Sequence, residues 1–86
     1  MNTGIRCVAR DIAGETMQRA IIPTEAEAWD YASQLLFREE KIKRIIFYDC
    51  WFTFLNAVSR PGYQKDEDEI ISEQDKQALL ILRELS

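Results

Sequence analysis

Residues 42–58, IKRIIFYDCWFTFLNAV, hold five of the chain's nine aromatic residues and one of its two cysteines. Lys43 to Tyr48 and Trp51 to Ser59 are rich in β-branched and aromatic side chains, which pack well on a pleated surface. Two strands joined by a tight turn at Asp49-Cys50 are expected. A helix continuing through the stretch is the competing reading, because a short apolar run carries no decisive period. Whichever holds, these residues supply most of the core.

Upstream, Ile5 to Arg10 alternates, with Ile5, Cys7 and Ala9 on one face and Arg6, Val8 and Arg10 on the other, which suits a strand covered on one side. Asp11 to Glu15 carries Gly14 and a turn-forming aspartate. Thr16 to Ile22 is extended again, so residues 5–22 read as a β-hairpin. Pro23 ends it, and Thr24 with Glu27 forms a T-x-x-E capping box that opens a helix. That helix should reach about Glu40, burying Ala28, Trp29, Ala32, Leu35 and Leu36, which share one side at roughly 100° per residue. Tyr31 lies at the edge of this stripe and Phe37 well off it. Phe37 is either tucked under the following strand or an exposed aromatic at a binding surface.

Downstream, Arg60-Pro61-Gly62 closes the strand pair, and residues 63–71 read as an acidic loop. Ser72 and Asp75 then start a last helix that ends near Leu85, with Ala78, Leu79, Leu82 and Leu85 as its core face. Leu80 lies almost opposite that face and Ile81 beside it. An apolar pair there suggests a partner or self-association surface. The expected fold is α+β in the order β-β-α-β-β-α, a four-stranded, mostly antiparallel sheet packed by a central and a C-terminal helix. Eighty-six residues make one domain, with a body over 1–62, the loop, and the helix over 72–86.

Composition narrows function by exclusion. At 47% apolar and 30% charged residues the chain is an ordinary globular sequence. No window approaches the ~18 uninterrupted apolar residues of a membrane span, and the opening MNTGIRCVARD carries charge where a signal peptide is apolar. A cytoplasmic protein with reduced thiols at Cys7 and Cys50 is expected. There is no histidine, which excludes Ser-His and Cys-His catalysis, and Asp49 beside Cys50 disfavours a reactive thiolate. Gly4, Gly14 and Gly62 are isolated, so no phosphate loop exists. Asp66, Glu67, Asp68 and Glu69 lack the spacing and turn glycine of a calcium loop. Neither an enzyme, a cofactor nor a metal is expected.

Charge is divided unevenly. Residues 1–65 hold nine Lys/Arg and eight Asp/Glu, and residues 66–86 hold two and seven, so the net charge of −4 belongs to the C-terminal quarter. This favours a small protein-binding module, an acidic inhibitor or adaptor that occupies a basic, nucleic-acid-binding surface of a partner protein. Tyr63, Asp66, Glu67, Asp68, Glu69, Glu73 and Asp75 are its contact candidates. Phe37, Leu80 and Ile81 form a candidate apolar interface, and a homodimer through the C-terminal helix is one use for it. The alternative is nucleic-acid binding on a basic face of Arg6, Arg10 and Arg19 with Arg38, Lys41, Lys43 and Arg44, stacking bases on Tyr48 or Trp51. An acid pI of about 4.8 counts against it.

Overall fold

The computed structural model describes residues 4–61 and 71–85. Along the chain run β1 (Ile5–Arg10), β2 (Thr16–Ile22), α1 (Glu25–Arg38), β3 (Arg44–Tyr48), β4 (Phe54–Ser59) and α2 (Glu73–Leu85). The strands form one sheet in the order β2-β1-β3-β4, and every neighbouring pair is antiparallel. The α+β order read from the sequence is the order observed, and residues 42–58 form strands rather than a helix.

Each hairpin is held by one aspartate. Asp11 Oδ1 accepts from the N–H groups of Ala13 and Glu15, both at 2.9 Å, and Gly14 supplies the positive φ of 85° that the loop needs. Asp49 Oδ1 likewise accepts from Trp51 N (2.8 Å) and Thr53 N (2.9 Å). The Asp49-Cys50 turn is therefore longer than expected: residues 49–53 form the loop and β4 starts at Phe54. Asp49 can satisfy two amides of a five-residue loop, so the chain does not need a two-residue turn.

Successive strand residues point to opposite faces, so the two core clusters define two layers. Cys7, Ala9, Ile45 and Phe47 pack with Ala28, Ala32 and Leu35 of α1. Val8, Ile46 and Tyr48 pack on the reverse face with Leu79 of α2. The sheet is thus sandwiched between helices, and β1 is buried from Arg6 to Ala9. The expectation that β1 is covered on one side is corrected here: α2 covers the face carrying Arg6, Val8 and Arg10.

α1 begins as read. Thr24 Oγ1 accepts from Glu27 N at 3.2 Å and donates to Glu27 Oε1 at 3.0 Å. The helix ends at Arg38, two residues short of expectation, with the Glu39 N–H still bonded to Leu35 O at 2.8 Å. Arg60 ties this end down, donating from Nη2 to Leu36 O in the last turn and to Glu39 O (2.8 Å) at the C-cap, and from Nε to Ile42 O (2.8 Å) in the connection to β3. One cation thus closes the helix C-terminus onto the end of β4. Arg60→Ala should cost about 2 kcal/mol, since bonds to a charged donor are lost and partly buried carbonyls are left open. Urea unfolding checks this, and Arg60→Lys, a point donor, should recover only part of the loss.

Ser72 precedes α2, and its Oγ accepts from Asp75 N at 3.2 Å. Its inner side is centred on Asp75 and Leu79, one turn apart, and both are buried. Leu82 shares that side of the helical wheel yet is 36% exposed, while Leu80, expected outside, is half-buried. The last turns therefore lose the full cover that the expected stripe implied.

Candidate interaction surface

The reverse face of the sheet gathers arginine. Cross-strand partners share a face, and the register places Arg6 opposite Tyr48, Arg10 opposite Arg44 and Thr16, and Arg19 opposite Val8. Into this face α2 lowers Asp75, the single buried carboxylate among the described residues. Asp75 Oδ1 accepts from Arg19 Nε at 2.8 Å, and Oδ2 accepts from Thr16 Oγ1 at 2.9 Å and Arg10 Nη2 at 3.3 Å. Arg10 also donates to Gly14 O at 3.2 Å. Arg44 donates to Ser59 Oγ at 2.9 Å. Arg6 is 2% exposed, gives a hydrogen bond to Gly4 O at 2.9 Å, and holds its guanidinium 5.9 Å from the centre of the Phe52 ring.

These positions revise both candidate faces. Arg6, Arg10, Arg19 and Arg44 do share one face, as the nucleic-acid reading required, but α2 packs on that face and uses two of them to hold itself down. Tyr48 is buried beneath the same helix and offers no stacking platform. Lys43 is half-buried; Arg38 and Lys41 are exposed. Asp75, expected as a partner contact, is instead an internal ion-pair centre. Glu73 is exposed at the first turn of α2. Tyr63, Asp66, Glu67, Asp68 and Glu69 lie outside the described residues.

Drawing arginines inward changes the surface. Among the described residues, Glu15, Glu25, Glu27, Asp30, Glu39, Glu40, Glu73 and Glu84 are exposed, against Arg38, Lys41 and Arg83. Among the described residues, eight exposed carboxylates therefore stand against three exposed cations, with Lys43, Arg44, Arg60 and Lys76 half-buried. Of the other described acids, Asp11 and Asp49 cap turns and Asp75 is buried in the ion-pair network.

Among the described residues, seven large apolar side chains are exposed: Ile12, Met17, Phe37, Trp51, Leu55, Ile81 and Leu82. Phe37 is 92% exposed on the outer side of α1, where Ser33, Gln34 and Arg38 line a shallow groove of about 410 Å³ with it. It is not tucked under the next strand, because α1 ends at Arg38 before the chain turns inward. Trp51 is 81% exposed at the β3–β4 turn, and Ile81 is exposed on α2. Trp51, a stacking candidate of the nucleic-acid reading, is thus exposed where Tyr48 is buried. A second groove of about 530 Å³ lies between the first hairpin and the end of α1, lined by Ile12, Met17, Lys41, Lys43, Asp11 and Glu40.

Burial pushes the Cys7 thiol up to about 12, so it stays protonated at neutral pH. The described residues contain no group of three or more His, Cys, Asp or Glu able to hold a metal ion, and no described helix is long and apolar enough to cross a membrane. Neither a protein-family model, nor a curated protein, nor a solved structure matches the chain.

Proposed function

We propose that this chain is a small non-enzymatic protein-binding module that docks its acidic surface on a basic surface of a partner protein, acting as an adaptor or inhibitor in the cytoplasm. The observation that carries the reading is the inward turn of Arg6, Arg10, Arg19, Arg44 and Arg60, which leaves the exposed charge dominated by carboxylate. A field of that sign speeds encounter with cationic surfaces and repels phosphate. Basic surfaces of this kind include those that otherwise hold nucleic acid, so occupation would block them. Asp66 to Glu69, with Tyr63 and Glu73 beside them in sequence, extend the acidic excess and are the contact segment of this reading; Asp75 leaves it.

The nucleic-acid alternative loses Arg10 and Arg19 to the Asp75 ion pairs and Arg6 and Tyr48 to burial, which leaves Arg38, Lys41 and Trp51 as its exposed residues. Binding of a decalysine peptide at 20 and 150 mM salt tests the reading. Wild type should bind at low salt and weaken steeply at high salt. Reversing Asp66, Glu67, Asp68 and Glu69 to lysine should lower the low-salt affinity more than tenfold with an unchanged circular dichroism spectrum. Unchanged affinity, or retention of single-stranded oligonucleotides at low salt, would overturn it.

A further inference from the structure

We propose that α2 is a displaceable cover on a binding face for single-stranded nucleic acid, a face that opens when α2 lifts off the sheet. The cover is held by little. Among the described residues of α2, Asp75 and Leu79 are the buried ones, and Ile81 and Leu82 in its last turns are exposed. What lies beneath is cationic. Arg6, Arg10 and Arg19 share the reverse face of β1 and β2, and Asp75 is the single buried carboxylate among the described residues. Arg6 meets the Gly4 carbonyl and the Phe52 ring instead of an acid. Arg10 Nε is buried with no hydrogen-bond partner among the described residues. Three guanidinium groups therefore share one buried counter-charge, and that charge belongs to the cover rather than to the sheet.

The face itself selects the ligand. Thr16 Oγ1, Arg10 Nη2 and Arg19 Nε converge on the Asp75 carboxylate at 2.9, 3.3 and 2.8 Å, a donor set that suits phosphate oxygens equally well. Tyr48, Phe52 and Phe54 belong to the same side of the sheet, in the cluster around Leu79. Cations that follow a phosphate backbone, with aromatic rings for the bases, are what a single strand requires. An acidic peptide would use the arginines and leave the rings without a role. Charge is partitioned in the same sense. Residues 1–65 hold nine Lys/Arg against eight Asp/Glu, and the exposed Glu25, Glu27 and Asp30 ride on α1, which packs on the opposite face. Glu15, beside Arg10 and Arg19, is the exposed acid that stays. With α2 docked the exterior is the acidic one described above, and affinity for a single strand is reduced by the small fraction of molecules in which α2 is lifted.

The test combines amide hydrogen exchange on wild type with titration of a thymidine decanucleotide into wild type, Leu79→Ala and Asp75→Asn at low salt. In wild type, the α2 amides should exchange through an opening that leaves α1 protected. Leu79→Ala loosens α2 without changing any charge, and it should bind the decanucleotide more than tenfold tighter than wild type. Its log–log salt slope should be about −2, as three arginines on a single strand require. Asp75→Asn, a milder change that keeps an acceptor, should gain about threefold or more. Arg19→Gln added to Leu79→Ala should remove most of the gain. Exchange of α2 and α1 in a single step, or variants that bind no tighter than wild type, overturns the inference and leaves the acidic-surface reading standing. Decaglutamate binding to Leu79→Ala as tightly as the decanucleotide overturns nucleic acid as the occupant. Wild type binding the decanucleotide as tightly as Leu79→Ala overturns both the cover and the acidic-surface reading.

Discussion

Replacing Asp75 with alanine is expected to lower stability by about 3–5 kcal/mol, the usual loss when one member of a buried ion pair is removed. Its carboxylate is 2% exposed and accepts from two arginines and a threonine, and the Arg10 and Arg19 side chains are 14% and 28% exposed. Without it, two guanidinium groups are left together under α2 with their shared counter-charge gone. An 86-residue domain has only about 4–13 kcal/mol in total. Since Asp75 and Leu79 are the buried residues of α2 among those described, its docking should fail first. Urea unfolding followed by circular dichroism and tryptophan fluorescence checks this. Asp75→Asn keeps an acceptor and should lose less. Adding Arg10→Met and Arg19→Met to Asp75→Ala should restore most of the stability, because apolar replacement of a whole buried ionic cluster is often neutral or better. A Asp75→Ala variant within 1 kcal/mol of wild type would show that the network holds nothing.

The same network marks where the sequence stopped being legible. Local signals were sufficient for the elements: Pro23 and the Thr24–Glu27 cap for α1, Asp11 and Gly14 for the first hairpin, β-branched and aromatic density for β3 and β4. They act over a few residues, so a single sequence displays them. What covers the reverse face is a different kind of fact. Arg6 and Arg10 at alternate strand positions read as a solvated face, and the residue that reverses the reading is Asp75, 65 positions from Arg10. On α2 the helical wheel identified Leu79 correctly but not Leu82, because a wheel gives direction and not the extent of the sheet beneath. In residues 49–53 the apolar run carried no phase, so the expected two-residue turn misplaced the start of β4 and put Trp51 in a strand. The acidic tetrad 66–69 was legible as charge only.

Net charge is a poor guide to such a surface. A chain with eleven Lys/Arg and fifteen Asp/Glu looks nearly balanced until burial is assigned by residue. Arginine tolerates inward positions here because its guanidinium can serve a carboxylate, backbone carbonyls and an aromatic ring from a fixed fork. Asp75, Leu36 O, Glu39 O and Phe52 are the receiving groups. Structural demand for arginine and the acidic exterior are therefore one outcome, and substitutions that free an inner arginine should lower stability and surface acidity together.

Phe47→Ala should destabilise by about 3–5 kcal/mol, the range for removing a fully buried aromatic ring. Phe47 is completely buried, and Trp29 meets it edge-on with ring centres 4.9 Å apart and planes at 88°. Its cluster mates Cys7, Ala9, Ala28 and Ala32 are small, and they sit on a central strand and the α1 face, so they cannot move in to fill the space. At about 4–8 °C per kcal/mol for a domain of this size, the thermal midpoint should fall by roughly 12–40 °C. Phe47→Leu keeps most of the volume and should lose less than half as much. Trp51, four residues on in the same apolar run, provides the contrast: Trp51→Ala should leave the midpoint within about 2 °C, because that indole faces water. A large midpoint drop in Trp51→Ala, or a small one in Phe47→Ala, would mean that the turn at Asp49 divides the stretch at a different place.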